Sequence, residues 1–231
     1  MSDANIPLLD DAIDHAPELE NKPAWRGWIH AGTFPLAIVL GIVLIVLSEG
    51  APAKIASAIF MASSLLLFGV SAVYHRFNWK PSTKAVFRRL DHSNIFLLIA
   101  GTYTPLAIDA LEWPKNVIML SVIWGGAILG ILSRIFWLKA PRWSYVVLYI
   151  ALGWAAIIYM GDLFAANPVT MVLVIVGGVS YTIGALFYAF KRPNPVPGVF
   201  GFHELFHSCT VIAFLCHWTG IVLIAMHPII R

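Results

Sequence analysis

Charged side chains are scarce in this chain. Asp and Glu number 12 and Lys and Arg 15 in 231 residues, so charge makes up 12% of the sequence against 59% for hydrophobic residues. A soluble domain of this length carries roughly twice that share of charge, which excludes an apolar core wrapped in an ordinary solvated shell. Cysteine is nearly absent too. Cys209 and Cys216 are the only two, and seven residues of helix set their Cα atoms about 10 Å apart, beyond disulfide reach. They read as small apolar packing groups. The opening residues lack the basic character of a secretory signal. Residues 1–28 carry Asp3, Asp10, Asp11, Asp14, Glu18 and Glu20, and are expected to form a polar acidic tail, disordered or loosely attached. From residue 29 onward no soluble domain, internal repeat or low-complexity tract interrupts the chain.

What the chain does have is apolar sequence in blocks of about 20 residues, the length that crosses a hydrocarbon core. The blocks cover residues 29–47, 53–75, 90–108, 116–137, 143–160, 168–190 and 202–226. Lipid offers the backbone no hydrogen-bond partner, so each block must be a helix. The expected fold is all-α and integral to the membrane: a seven-transmembrane helix bundle forming one domain over residues 29–231. Trp25, Trp28, Trp79, Trp113, Trp137 and Trp143 fall at block ends, as interfacial aromatics do. Gly126 with Gly130, and Ser180 with Gly184, place small residues four apart. These read as close packing within the bundle rather than a dimer interface, and the oligomeric state stays open.

Basic residues set the expected orientation. With the N-terminus cytoplasmic, the inner face holds Lys22, Arg26, Arg76, Lys80, Lys84, Arg88, Arg89, Arg134, Lys139, Arg142, Lys191 and Arg192, leaving Lys54, Lys115 and Arg231 outside. That distribution follows the positive-inside rule and puts the C-terminus outside. The positive excess edges a bilayer, so membrane lipids are the expected partners and nucleic acid is not.

The chemistry-bearing stretch is His203-Glu204-Leu205-Phe206-His207 at the start of the last block. Two histidines four apart share a helical face, and ionisable groups at membrane depth mark sites more often than packing. On the expected topology Ser71 and His75 end the second block, and Asp91 begins the third at the same depth. Zinc suits imidazole nitrogen, and His75, His203 and His207 fill the three protein positions of a catalytic site whose fourth is water. Such a water has its pKa lowered to about 7. Asp91 can take its proton or hold a ligand imidazole, and Ser71 can donate a hydrogen bond to the water or a substrate carbonyl.

Three motifs in order, Ser71-x-x-x-His75, Leu90-Asp91-His92-Ser93 followed by Ala100-Gly101-Thr102-Tyr103-Thr104-Pro105, and His203-Glu204-Leu205-Phe206-His207, resemble the hemolysin III family over about residues 28 to 228. That family is the bacterial branch of the progestin and adiponectin receptor proteins, grouped with the alkaline ceramidases. The resemblance implies a seven-helix zinc-binding fold with His75, His203 and His207 as ligands, Asp91 and Ser71 as the polar pair, and a role in membrane-lipid homeostasis.

The expected activity is a zinc-dependent hydrolase of a lipid, an amide before other lipids, working from the cytoplasmic leaflet of a bacterial plasma (inner) membrane. Its rival is a receptor-like or regulatory membrane protein with structural zinc. Two weaker readings remain. His203-Glu204-x-x-His207 also spells the H-E-x-x-H of zinc proteases with Glu204 as base, although a headgroup-side or salt-bridged Glu204 is expected instead. A pore would need charged rings that the spans lack. His217, nearly on the face of His203, is expected to be neutral and bonded to a neighbouring helix. His92 is expected to be interfacial or to support a ligand, His30 and His227 to rest at span ends, His15 to belong to the tail, and Thr102 to bond its own backbone.

Overall fold

The computed structural model describes residues 23–137 and 142–229, with side chains described for 23–137 and 144–229. The acidic residues at positions 3–20, along with His15, Lys22, Lys139 and Arg231 and the side chains of Arg142 and Trp143, lie outside this description. Among the described residues the regular structure is helical, with no strand. The helices are α1 (Trp28–Leu47), α2 (Gly50–Arg76), α3 (Pro81–Ala110), α4 (Lys115–Phe136), α5 (Arg142–Gly153), α6 (Met160–Ala166), α7 (Pro168–Phe190) and α8 (Phe202–Ala225). A short 3-10 segment, Ala155–Tyr159, joins α5 to α6, so the eight helices make seven rods.

Six of these rods are long and apolar enough to cross a membrane. The seventh, α3, falls short for a physical reason. It packs against α2 and α4 and also touches α5, α6 and α8, so little of it needs to match lipid. Several of its polar side chains are satisfied internally. Thr102 donates to the Leu98 carbonyl, Thr104 to that of Ala100, and the Asn94 amide to the Leu66 carbonyl. The sequence places the third block at 90–108, whereas α3 begins at Pro81, which occupies its first turn. Proline suits that position because its missing N–H has no intrahelical partner there. The charged turns around Lys84, Arg88 and Arg89 therefore extend the helix beyond its apolar stretch.

The fifth block also differs from expectation. It runs on to Ala166 and is broken after Gly153. The cause is Tyr103 of α3, whose hydroxyl donates to the Gly153 carbonyl at 2.7 Å and accepts from the Ala156 N–H at 2.8 Å. A side chain inserted into the helical ladder breaks it locally.

Lipid is as apolar as the side chains, so close packing rather than water exclusion must hold such helices together. A Cβ on Gly126 would lie 2.6 Å from Leu152, and one on Gly130 would lie 2.4 Å from Phe96. Both small residues thus serve contacts within this chain. Phe60 and Phe68 pack on Phe214 with ring centroids 5.7 and 5.1 Å apart, forming a floor of buried aromatics.

Backbone bonds fix which ends meet. The Glu49 N–H donates to the Ala225 carbonyl and the Ile229 N–H to that of Asp109, placing the ends of α1, α3 and α8 together. At the opposite end the Ala24 and Trp25 N–H groups donate to the Gly198 and Val199 carbonyls. The end of α2 and the starts of α1, α3 and α8 therefore gather on one side.

Candidate metal centre

Each chemistry-bearing side chain comes from that gathered end. α2 delivers Ser71 and, one turn later, His75. α3 delivers Asp91 from its third turn, and α8 delivers His203 and His207 from its first two. The Nε2 atoms of His75 and His203 stand 3.2 Å apart, and the Nε2 of His75 lies 3.6 Å from Asp91 Oδ2. One nitrogen from each of His75, His203 and His207 falls within 4.8 Å of the others.

Three imidazoles aimed at one another, two buried and that of His203 half-buried, are poor partners as hydrogen-bonding groups alone, since a single proton satisfies only one nitrogen pair. They suit an ion better. Metal–nitrogen bonds of about 2.0–2.1 Å in a tetrahedron put the nitrogens roughly 3.3 Å apart, and the His75–His203 pair is already at that spacing. An all-imidazole set suits a first-row ion such as zinc, copper, iron or nickel. The group can therefore hold a metal ion, with the Asp91 carboxylate beside it and Ser71, buried on α2, facing that carboxylate.

α8 is held in place by Glu204. Its side chain is 1% exposed. Oε2 accepts the Gly201 N–H at 2.8 Å and Oε1 accepts from Arg26 Nε at 2.5 Å. Glu204 is therefore the third residue of a helix that it caps itself, and it is salt-bridged, as one of the two expected uses had it. Both carboxylate oxygens are engaged away from the imidazoles, which removes the geometry a zinc-protease base requires.

His30 departs most from the sequence reading. It lies in the first turn of α1, at a span end as expected, but it is buried, at 2% exposed. Its ring stacks on His207 with centroids 3.9 Å apart and planes 12° from parallel, and meets the edge of Phe68 at 5.1 Å. Neither ring nitrogen has a hydrogen-bond partner among the described residues. The signal was available in the sequence. Thr33, Ala37, Gly41 and Leu44 continue the buried stripe of α1 from His30 at helical spacing, and small residues along a stripe mark the face turned to other helices.

The remaining candidates fall elsewhere. His92 donates from Nδ1 to the Arg88 carbonyl at 2.7 Å, and its Nε2 meets the Tyr188 hydroxyl at 3.3 Å. Its Nδ1 stands 3.9 Å from Asp91 Oδ2. His217 Nε2 donates to the Val174 carbonyl of α7 at 3.3 Å, the neighbouring-helix bond expected of it. Thr102 bonds its own helix, His227 is exposed at the end of α8, and Cys209 and Cys216 are free thiols.

A single cavity begins at the histidines and continues into the bundle. Ser71, Asp91, His203 and His207 line its head, Ile95, Leu98, Ile150 and Phe206 its walls, and Gly178, Tyr181 and His217 its far end. Apart from the head, His217 and a few hydroxyls, its lining is largely apolar.

The sequence matches a family model described as Haemolysin-III related over residues 19–218. It is 35% identical over 135 residues to the "Hemolysin-3 homolog" of Bacillus subtilis (strain 168), covering 58% of this chain and 63% of that protein. It is 34% identical over 143 residues to the "Hemolysin-3" of Bacillus cereus, covering 62% of this chain and 65% of that one. The likeness thus spans a little under two thirds of each bacterial relative. A "Progestin and adipoQ receptor-like protein 1" of Caenorhabditis elegans is 29% identical over 188 residues, 73% of this chain and 43% of its own length. The chain belongs to the haemolysin-III related family and is a multi-pass membrane protein with a histidine group able to take a metal ion.

Proposed function

We propose that this haemolysin-III related protein is a zinc-dependent lipid hydrolase, acting on an amide, with zinc held by His75, His203 and His207. The observation that carries the reading is the meeting of three imidazoles and a carboxylate at the head of an apolar cavity. Zinc bound there supplies Lewis acidity toward a carbonyl and makes water a nucleophile near neutral pH. Asp91, 3.6 Å from a ligand nitrogen, is placed to accept a proton at the head of the cavity and return it to a leaving amine. Ser71 steadies that carboxylate or donates to the substrate carbonyl. The apolar walls hold the lipid chain and keep water away from the reacting end. Arg26, through Glu204, keeps the first turn of α8 in register so that both its histidines face α2.

In this reading all seven rods cross the membrane, with the N-terminus and the metal centre on the cytoplasmic side of a bacterial plasma membrane. Support comes from the clustering of Arg26, Arg76, Lys80, Lys84, Arg88, Arg89 and Arg192 at the gathered end.

One observation favours a second reading. Asp91 lies close enough to complete a closed set of four ligands, as a structural site has, and relatives include proteins named as receptors. A receptor-like regulator with structural zinc would use the same residues. The two readings separate on purified protein in lipid vesicles containing ceramide. The hydrolase reading expects fatty acid to be released by the wild type and not by Asp91→Asn that still holds zinc. Zinc-loaded wild type that releases none, while cells depend equally on both forms, would favour the regulator.

A further inference from the structure

The cavity ends on three rings, each tied across to a neighbouring helix. Tyr103 of α3 is fixed by its hydroxyl in the break of the fifth rod, between the Gly153 carbonyl and the Ala156 N–H. Trp154, in that same break, reaches to α7, where its indole N–H donates to Thr182 Oγ1 at 3.0 Å and its ring packs over Gly178. The Thr182 hydroxyl is itself held by the Gly178 carbonyl at 2.8 Å. His217 of α8 bonds the Val174 carbonyl of α7, in the notch that Gly177 leaves. All three rings line the cavity. Further from the metal-centre histidines along the same rods, Leu106, Leu163, Met171 and Ile221 are almost fully buried and belong to the packed core.

A floor made this way is fixed. A ring free at its tip could swing aside for a longer ligand, but each of these would first have to break a hydrogen bond inside the bundle. The depth of the floor follows from the helices. Lining residues run from Asp91 to Thr102 on α3, from Tyr188 to Gly178 on α7 and from His207 to His217 on α8, spans of ten or eleven residues, or roughly 15–17 Å at the helical rise. Carbon–carbon bonds of about 1.5 Å carry an extended chain forward roughly 1.25 Å per carbon. The space between the metal centre and the floor therefore takes about 12 to 13 carbons.

We propose that Tyr103, Trp154 and His217 act as a ruler for the lipid chain. A straight acyl chain of about 12 to 14 carbons, counted from the carbonyl carbon, fills the cavity, and a longer one must bend or leave carbons outside. Bilayer lipid is as apolar as the cavity walls, so the preference comes from fit and not from transfer out of water. A shorter chain leaves part of the cavity without contacts, and a longer one overfills a space with fixed walls. Trp154 and Gly178 determine the length most directly, because one supplies the ring and the other the surface on which it lies. This inference rests on the lipid-binding reading of the cavity but requires no turnover.

Full-length protein in nanodiscs doped with an equimolar series of saturated fatty acids, octanoic to eicosanoic, reads the ruler directly. Bound acid is identified by native mass spectrometry and expressed relative to its share of the bilayer. Wild type should enrich lauric and myristic acids about tenfold over stearic acid. Trp154→Ala removes part of the floor and should shift the preference to palmitic or stearic acid. Gly178→Leu raises the floor, since a Cβ there meets Trp154 at an ordinary 3.6 Å, and should shift the preference to decanoic acid or shorter. Should Trp154→Ala fail to fold, wild type and Gly178→Leu decide the matter. Stearic acid enriched as well as lauric acid, or a Gly178→Leu protein that keeps the wild-type optimum, would overturn the ruler while leaving a lipid cavity intact. If no acid is bound above its bilayer share, the cavity reading falls and the ruler with it. Zinc content and fatty acid release are separate measurements, so failure of the metal or hydrolase reading is told apart from both.

Discussion

Replacing Glu204 distinguishes a structural carboxylate from a chemical one. Glu204→Ala removes the acceptor of the Gly201 N–H and the partner of Arg26 together. Loss of an N-terminal cap contributes about 0.5–2 kcal/mol, and loss of a hydrogen bond to a charged group about 1.5–3 kcal/mol. Breaking a buried ion pair can cost more, but the Arg26 side chain is 22% exposed and can turn toward headgroups or water, which holds the penalty down. The expected total is about 2–4 kcal/mol. For a chain of this size that corresponds to a fall in Tm of about 5–15 °C, read by tryptophan fluorescence in detergent. Glu204→Gln keeps an oxygen for Gly201 and loses only the charge, so it should fall by about half as much and retain its metal. A Glu204→Ala protein melting within about a degree of wild type would refute the capping account. So would a Glu204→Gln protein that is stable and metal-loaded but has lost all function, because that outcome would restore Glu204 as a base.

The geometry sets three further outcomes. His30→Ala removes the ring stacked on His207 and should weaken metal binding about tenfold, the lower end of what an outer partner of a ligand contributes, as measured by competition with a chelator; unchanged affinity would reduce His30 to packing. Tyr103→Phe deletes the hydroxyl between Gly153 and Ala156 and should cost about 1–3 kcal/mol in thermal unfolding, and no loss would mean the break in that rod has another cause. In protein lacking Cys209 and Cys216, Lys80→Cys should react with an impermeant thiol reagent only after cells are opened and Lys115→Cys in intact cells; the reverse pattern would invert the proposed orientation.

Much of the architecture was legible because a membrane leaves so few choices. Apolar blocks of bilayer length gave five rods nearly as they stand, and short antiparallel links brought His75, Asp91, His203 and His207 to one end. The errors lie where a tertiary contact overrode a local pattern. α3 is the central helix, so its boundary follows Pro81 and its polar side chains rather than hydropathy. The break after Gly153 depends on a hydroxyl 50 residues away in sequence, which no local pattern encodes. His30 read as interfacial because a histidine near a span end usually is, and only the small-residue stripe below it shows that its face turns inward. Glu204 is the instructive case among the site residues. The motif H-E-x-x-H suggests a base, but at the third position of a helix a glutamate can cap its own first turn, and Arg26, 178 residues away, decides between the two uses.

Metal content tests the central claim most directly, namely that imidazoles from α2 and α8 close on one ion. Protein purified without chelators and analysed by inductively coupled plasma mass spectrometry should carry about one zinc per chain, and His75→Ala and His203→Ala, shown to be folded, should carry almost none. Wild-type protein free of zinc, or His75→Ala protein that keeps its full complement, would contradict the account.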